Sequence, residues 1–251
     1  MISRRNFGRM IAYSCFSTIP TVSRAAEEDD EAGPLDQLIY PPFGAIDAPQ
    51  PFGYKPPTEK EKQRAEDIIK STPKGPAPID IAKSFFDRFY TTDPKTISQW
   101  PAPEAWNPLI VQFFSATTLK ANNDMVAWCA AFANWCIERS GRKGSRSAAS
   151  QSFLDKKNFK QTNDPAIGDL AVFTCYEKNT NKSLGLGHVA FVMHKPAGGR
   201  VKVLGGNQSA DGHSSIISER DFMTGDRDVR RHVDGKYVPC TMRLNTYISI
   251  V

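Results

Sequence analysis

Apolar positions recur at helical spacing in the first half of the chain and gather into short strand-like runs in the second. The clearest periodic stretch is Asp124–Gly141, where Trp128, Phe132, Trp135 and Cys136 share one face. Asp124 has the short acceptor side chain of a helix cap, and Gly141 suits the left-handed residue that closes a helix. Upstream, Thr58-Glu59-Lys60-Glu61 reads as a capping box for a helix to about Ser71. A second helix follows Pro78, with Ala82, Phe85, Phe86 and Phe89 on one side. This pair reads either as packing around the core, the favoured choice, or as a substrate-side subdomain. Asn107-Pro108 is an N-cap followed by proline at the first helical position, leading into Leu109–Phe114.

Beyond Gly141 the pattern changes. Gly144–Ser152 is small and polar, with a short helix expected at Ser152–Leu154. Asp164–Asp169 is turn chemistry that delivers a strand at Leu170–Tyr176. Further strands are expected at His188–His194, Val201–Gly205, Ser215–Glu219 and Tyr237–Leu244, with Glu177–Gly187 as a polar connection. Helices first and an antiparallel meander afterwards predict an α+β fold, with the N-terminal helices packed on the sheet. No internal repeat is visible.

The chain has 251 residues, enough for one ordinary domain with extensions, and no apolar run long enough to cross a membrane. Its formal charge is +5, but Arg4, Arg5, Arg9 and Arg24 lie in an acid-free N-terminal stretch. The rest is nearly balanced, so there is little electrostatic case for nucleic-acid binding. Ser3-Arg4-Arg5-Asn6-Phe7, a weakly apolar Met10–Val22 and small residues up to Ala25 resemble a twin-arginine export signal cleaved after Ala25. The plainer reading is a disordered basic terminus. Cys15 lacks the leucine expected before a lipidated cysteine. Export to the periplasm or beyond is the expectation. Residues 26–57 carry an acidic patch and then many prolines, the composition of an extended linker. A helical lead-in (58–95) and a catalytic domain (96–251) complete the expected organisation.

Cys129 falls in the first turn of the Asp124–Gly141 helix, where unpaired N–H groups and the helix dipole favour a thiolate. Taken alone it is more simply a small buried hydrophobe, as Cys136 is taken to be. Its partners change that balance. A hairpin centred on Pro196–Gly199 sets His188 opposite Asn207, on the same side of the sheet, unless a bulge intervenes. Asn207 then accepts the imidazole N–H and fixes its tautomer, while the other ring nitrogen faces the thiol. Alone, His188 reads as a satisfied strand-end histidine and Asn207 as a turn residue. His194 lies ~20 Å further along the strand, and His213 and His232 sit in polar, loop-like sequence.

The motifs WCAAF, PAIGDLAVF, GHVAFV and GGNQS occur in that order. Together they resemble the cysteine, histidine-dependent amidohydrolase/peptidase (CHAP) family of bacterial cell-wall hydrolases, which has a papain-like fold. The resemblance spans roughly Asn107–Ser209 and weakens after Asp211. It implies Cys129 as nucleophile, His188 as base and Asn207 as the group that orients the ring. The expected reaction hydrolyses a peptidoglycan amide through a thioester acyl-enzyme. The Cys129 N–H is one oxyanion donor, with Gln208 and Asn123 as alternatives for a second and Trp128 as a further substrate contact. The competing readings are a catalytically silent wall-binding or scaffold protein and a protein-directed transferase or deamidase. No cofactor is implied, and no paired spacing such as C-x-x-C points to a metal. A working thiol leaves room for at most one disulfide, with Cys175–Cys240 the conceivable pair.

Overall fold

The computed structural model describes residues 56–250 except 101–104, 122, 210–214 and 234–235. The signal-like segment, most of the proline-rich stretch and His213 lie outside the described residues.

Among the described residues four α-helices precede a seven-stranded antiparallel sheet, an α+β fold as the sequence predicts. The helices are α1 (Glu59–Ser71), α2 (Pro78–Phe89), α3 (Pro108–Phe113) and α4 (Cys129–Arg139). Thr58 and Glu61 form the expected capping box, and the Asn107 carboxamide caps α3 through the Leu109 N–H at 2.9 Å. The strands are β1 (Lys160–Thr162), β2 (Leu170–Glu177), β3 (Ser183–Val192), β4 (Arg200–Ser209), β5 (Ser215–Met223), β6 (Arg227–Val233) and β7 (Lys236–Ser249). The order is β1-β7-β2-β3-β4-β5, with β6 also paired to β7. Strands β1 and β6 had no apolar alternation to reveal them, and β3 starts five residues before His188. His232 pairs with Tyr237 in the β6–β7 ladder rather than lying in a loop, and His194 lies just past the end of β3.

The sheet has two apolar faces. Leu170, Val172, Val189, Phe191 and Leu204 face the helices and share one core with Ala65, Ile68, Phe85, Phe113, Trp128 and Phe132. Helices α1 and α2 are thus part of the packing. Phe85 meets Phe113 and Phe132 edge-on, with ring centroids 5.5 and 5.9 Å apart. The opposite face carries Ala171, Phe173, Ala190, Val192, Val203, Phe222, Val229 and Met242. These line the inside of the half-barrel into which the sheet curls, bringing Phe222 of β5 to 5.2 Å from Phe173 of β2. The short connection from β5 to β6 helps close it, since the Leu244 N–H of β7 donates to Thr224 O at 3.1 Å.

Cys129, Cys136, Cys175 and Cys240 are all buried, and none is in a disulfide, so the conceivable Cys175–Cys240 bridge is not formed. Burial pushes the Cys136 thiol well up, the behaviour of an inert core thiol. Cys175 lies opposite Met242 and Cys240 opposite Glu177, so the two thiols are diagonal neighbours. A hydrogen bond with Cys240 and then the Arg231 and Arg227 charges pull Cys175 down to about 6, against the opposing effect of burial.

Candidate active site

Helix α4 begins at Cys129, not at Asp124. Its N-cap is Trp128, which makes no side-chain capping bond. The first intrahelical bond runs from the Phe132 N–H to Trp128 O at 2.9 Å, so the N–H groups of the first turn point outward without an intrahelical acceptor. Cys129 therefore occupies the first helical position. Gly141 has φ +85° just beyond the C-cap, as expected.

Asp124 anchors the preceding loop instead. Its Oδ2 accepts from the backbone N–H groups of Trp100 at 3.1 Å and Asn107 at 2.8 Å. The carboxyl is completely buried, and Oδ1 has no partner among the described residues. Burial outweighs the two N–H donors and raises its pKa to about 7. Asn123 makes a local turn, its Oδ1 accepting from the Met125 N–H at 3.0 Å. A cleft of about 220 Å³ between α1 and α3 has Arg64, Asp93, Lys95, Trp100 and Asn107 on its walls; neither Cys129 nor His188 lines it.

Strand β4 crosses the start of α4 at a glycine pair. A Cβ on Gly206 would lie 2.3 Å from Trp128 Cζ3 and 3.0 Å from Phe132 Cβ. A Cβ on Gly205 would point the other way, 2.8 Å from Ala190 Cβ and 3.4 Å from His188 Nε2. The thiol helix and the imidazole thus approach the same two residues from opposite sides. The expected strand ended at Gly205; β4 instead runs on through Gly206, and the glycine pair serves close approach within the strand. Gly206→Ala is expected to destabilise the fold by about 2–3 kcal/mol through overpacking against Trp128, read as a shift in denaturation midpoint.

His188 is fully buried and shares the inner face with Ala190 and Val192, because alternation gives Val189 and Phe191 to the helix layer. Its ring lies 6.5 Å from Phe173 and 5.8 Å from Phe222. Desolvation, followed by the charges of Arg227 and Arg231, pushes its pKa well below the usual imidazole value.

The β3–β4 register is the expected one at Phe191↔Leu204 and Val192↔Val203. The β3–β4 ladder ends there; in the β4–β5 ladder a bulge falls between Gly205 and Gln208, and Asn207 takes φ +60°. The extra residue hands the position facing the imidazole to Gln208, whose Nε2 lies 3.0 Å from His188 Nε2. Ser218 Oγ donates to Gln208 Oε1 at 3.2 Å, which leaves the Gln208 amide as donor to the ring. Asn207 Oδ1 instead accepts from Ser215 Oγ at 2.6 Å. The expected Asn207–imidazole bond is therefore replaced by one from Gln208, which in turn is no longer a free oxyanion donor. Trp128 is wholly buried and stacked on Phe113 with centroids 6.2 Å apart, so its ring is core rather than an open substrate wall.

Gln99 had no sequence signal. It is 3% exposed, lies beside the first residue of β5, and has no partner for either carboxamide atom among the described residues. Only its burial reveals it. No cluster of His, Cys, Asp and Glu among the described residues forms a metal site, and no helix among them is long and apolar enough to cross a membrane.

Residues 121–207 match the CHAP domain, a stretch that begins just before Asn123 and ends at Asn207. The α+β arrangement agrees with the papain-like fold of that family. No curated protein and no solved structure matches the chain.

Proposed function

We propose, with the CHAP match as premise, that the protein is a cysteine-dependent hydrolase of peptidoglycan amide bonds. One observation carries the reading: Cys129 is the first residue of α4, at the positive end of the helix dipole. A thiolate is favoured there, and the first-turn N–H groups stabilise negative charge on an attacked carbonyl. The Cys129 sulfur adds to the amide carbon, and the tetrahedral oxyanion takes a hydrogen bond from the Cys129 N–H. The proton given up by the thiol passes to the leaving amine, a transfer that the CHAP resemblance assigns to His188. Water then adds to the thioester, releasing the acid and restoring the thiol. Gln208, bonded to the ring, takes the orienting role expected of Asn207. The ring lies on the inner face of the sheet and the thiol helix on the other, with the Gly205-Gly206 pair between them, so the structure does not bring His188 against the Cys129 sulfur. The arginine-led N-terminus carries the protein to the compartment where peptidoglycan lies.

Digestion of purified peptidoglycan, with the new ends identified, tests this proposal. New amino termini of the stem peptide indicate an amidase, and new ends within the peptide an endopeptidase. A catalytically silent wall-binding protein is the second reading, supported by the complete burial of His188 among aromatic rings with its basicity lowered. That reading predicts sedimentation with peptidoglycan and no new ends.

A further inference from the structure

The segment before α3 reaches the α4 loop and the β4–β5 edge at one residue, Gln99. Its backbone N–H donates to Ser215 O at 2.7 Å, next to the Ser98↔Ile216 bridge. Ser215 in turn holds Asn207, the residue after the glycine pair that faces Trp128. On the other side of Gln99, the Trp100 N–H is tied to Asp124, five residues before Cys129. Gln99 is thus bracketed by the loop that leads into α4 and by the β4–β5 edge that crosses Trp128. It lies outside the stretch that matches the CHAP domain.

A buried carboxamide with both ends unpartnered is a costly arrangement that folds ordinarily avoid. Methionine would fill the same space without that penalty. What a carboxamide offers is one donor and one acceptor side by side, the complement of a secondary amide's C=O and N–H. We propose that Gln99 is a substrate-contacting residue that reads an amide of the peptidoglycan stem peptide, donating from Nε2 to its carbonyl and accepting at Oε1 from its N–H. The inference rests on the reading of Cys129 as the nucleophile, and it names a recognition group upstream of the family-like region.

The test uses the full-length Cys129→Ala protein, which binds without turnover, and N-acetylmuramyl-L-alanyl-D-isoglutamine as probe. The Gln99 side-chain amide resonances are identified as the pair lost in Gln99→Met. They are expected to shift on titration, and adding Gln99→Met is expected to weaken binding at least about tenfold. The melting temperature of Gln99→Met is expected to stay at or above that of the parent, since the substitution removes two unpaired polar atoms. Equal affinity with and without Gln99→Met, or no probe binding by a protein whose Cys129 form digests peptidoglycan, overturns the proposal while leaving the hydrolase intact. So does a lowered melting temperature with unchanged affinity, the mark of a structural residue satisfied by internal water. Shifted resonances in a protein whose Cys129 form releases nothing would sink the hydrolase reading and keep the amide-reading site.

Discussion

Cys129→Ala is expected to reduce amide release from peptidoglycan by at least about 10⁴-fold, because the thioester route then has no nucleophile. The fold is expected to survive, since the substitution removes one sulfur from a position at the helix start. Far-UV circular dichroism and the melting temperature check that point, and assay of released ends checks the loss. Cys136→Ala serves as control: that thiol lies seven residues on, inside the core, where burial keeps it protonated. It is expected to keep wild-type turnover and lose only stability. His188→Ala is a less selective probe, because it also opens a hole between Phe173 and Phe222 and strands the Gln208 amide.

The second large effect is on stability. Asp124 keeps its proton to about pH 7 when folded, whereas an unfolded aspartate loses it near pH 4. Between those values the folded state holds more protons, so this group makes stability fall as pH rises, and its contribution is level above about pH 7. The slope is about 1.4 kcal/mol per pH unit, on the order of 4 kcal/mol over the whole window. His188 acts in the opposite direction. Its folded pKa is depressed, so its contribution is present above about pH 6.5 and lost on acidification. The two partly cancel in the wild type, and the Asp124 effect is read from a difference. Asp124→Asn keeps an oxygen for the Trp100 and Asn107 N–H groups but cannot ionise. Denaturant unfolding of both proteins from pH 4 to 8 should show the variant gaining relative stability up to pH 7 and no further. Parallel profiles would mean that the carboxyl ionises normally when folded.

Much of the scaffold was legible because local chemistry and tertiary packing agree. Thr58 and Glu61 pair as their spacing implies, Asn107 caps the helix that Pro108 starts, and Leu170–Glu177 emerges from its turn as a strand. The register sum that set Phe191 against Leu204 held as far as the ladder runs. What followed was hidden in backbone conformation. Asn207 at φ +60° inserts a bulge, and one residue of slip is enough to exchange Asn207 and Gln208 at the imidazole. Asp124 had the side chain of a helix cap, but its acceptors serve two N–H groups from distant segments, and the helix starts five residues later. Strand β6, Arg-Asp-Val-Arg-Arg-His-Val, is rich in charge because Arg227 and Arg231 enter the half-barrel beside Met242. Gln99 gave no sign at all, since burial without a partner exists only in three dimensions.

The proposed hydrolase mechanism depends on a covalent bond between substrate and the Cys129 sulfur. The direct measurement is intact mass spectrometry of the protein quenched in acid during turnover of a peptidoglycan fragment, followed by peptide mapping. The expected result is an acyl adduct on the peptide containing Cys129, absent from Cys129→Ala and released by hydroxylamine. Fragment cleavage with no adduct, or an adduct mapping to another residue, would contradict it.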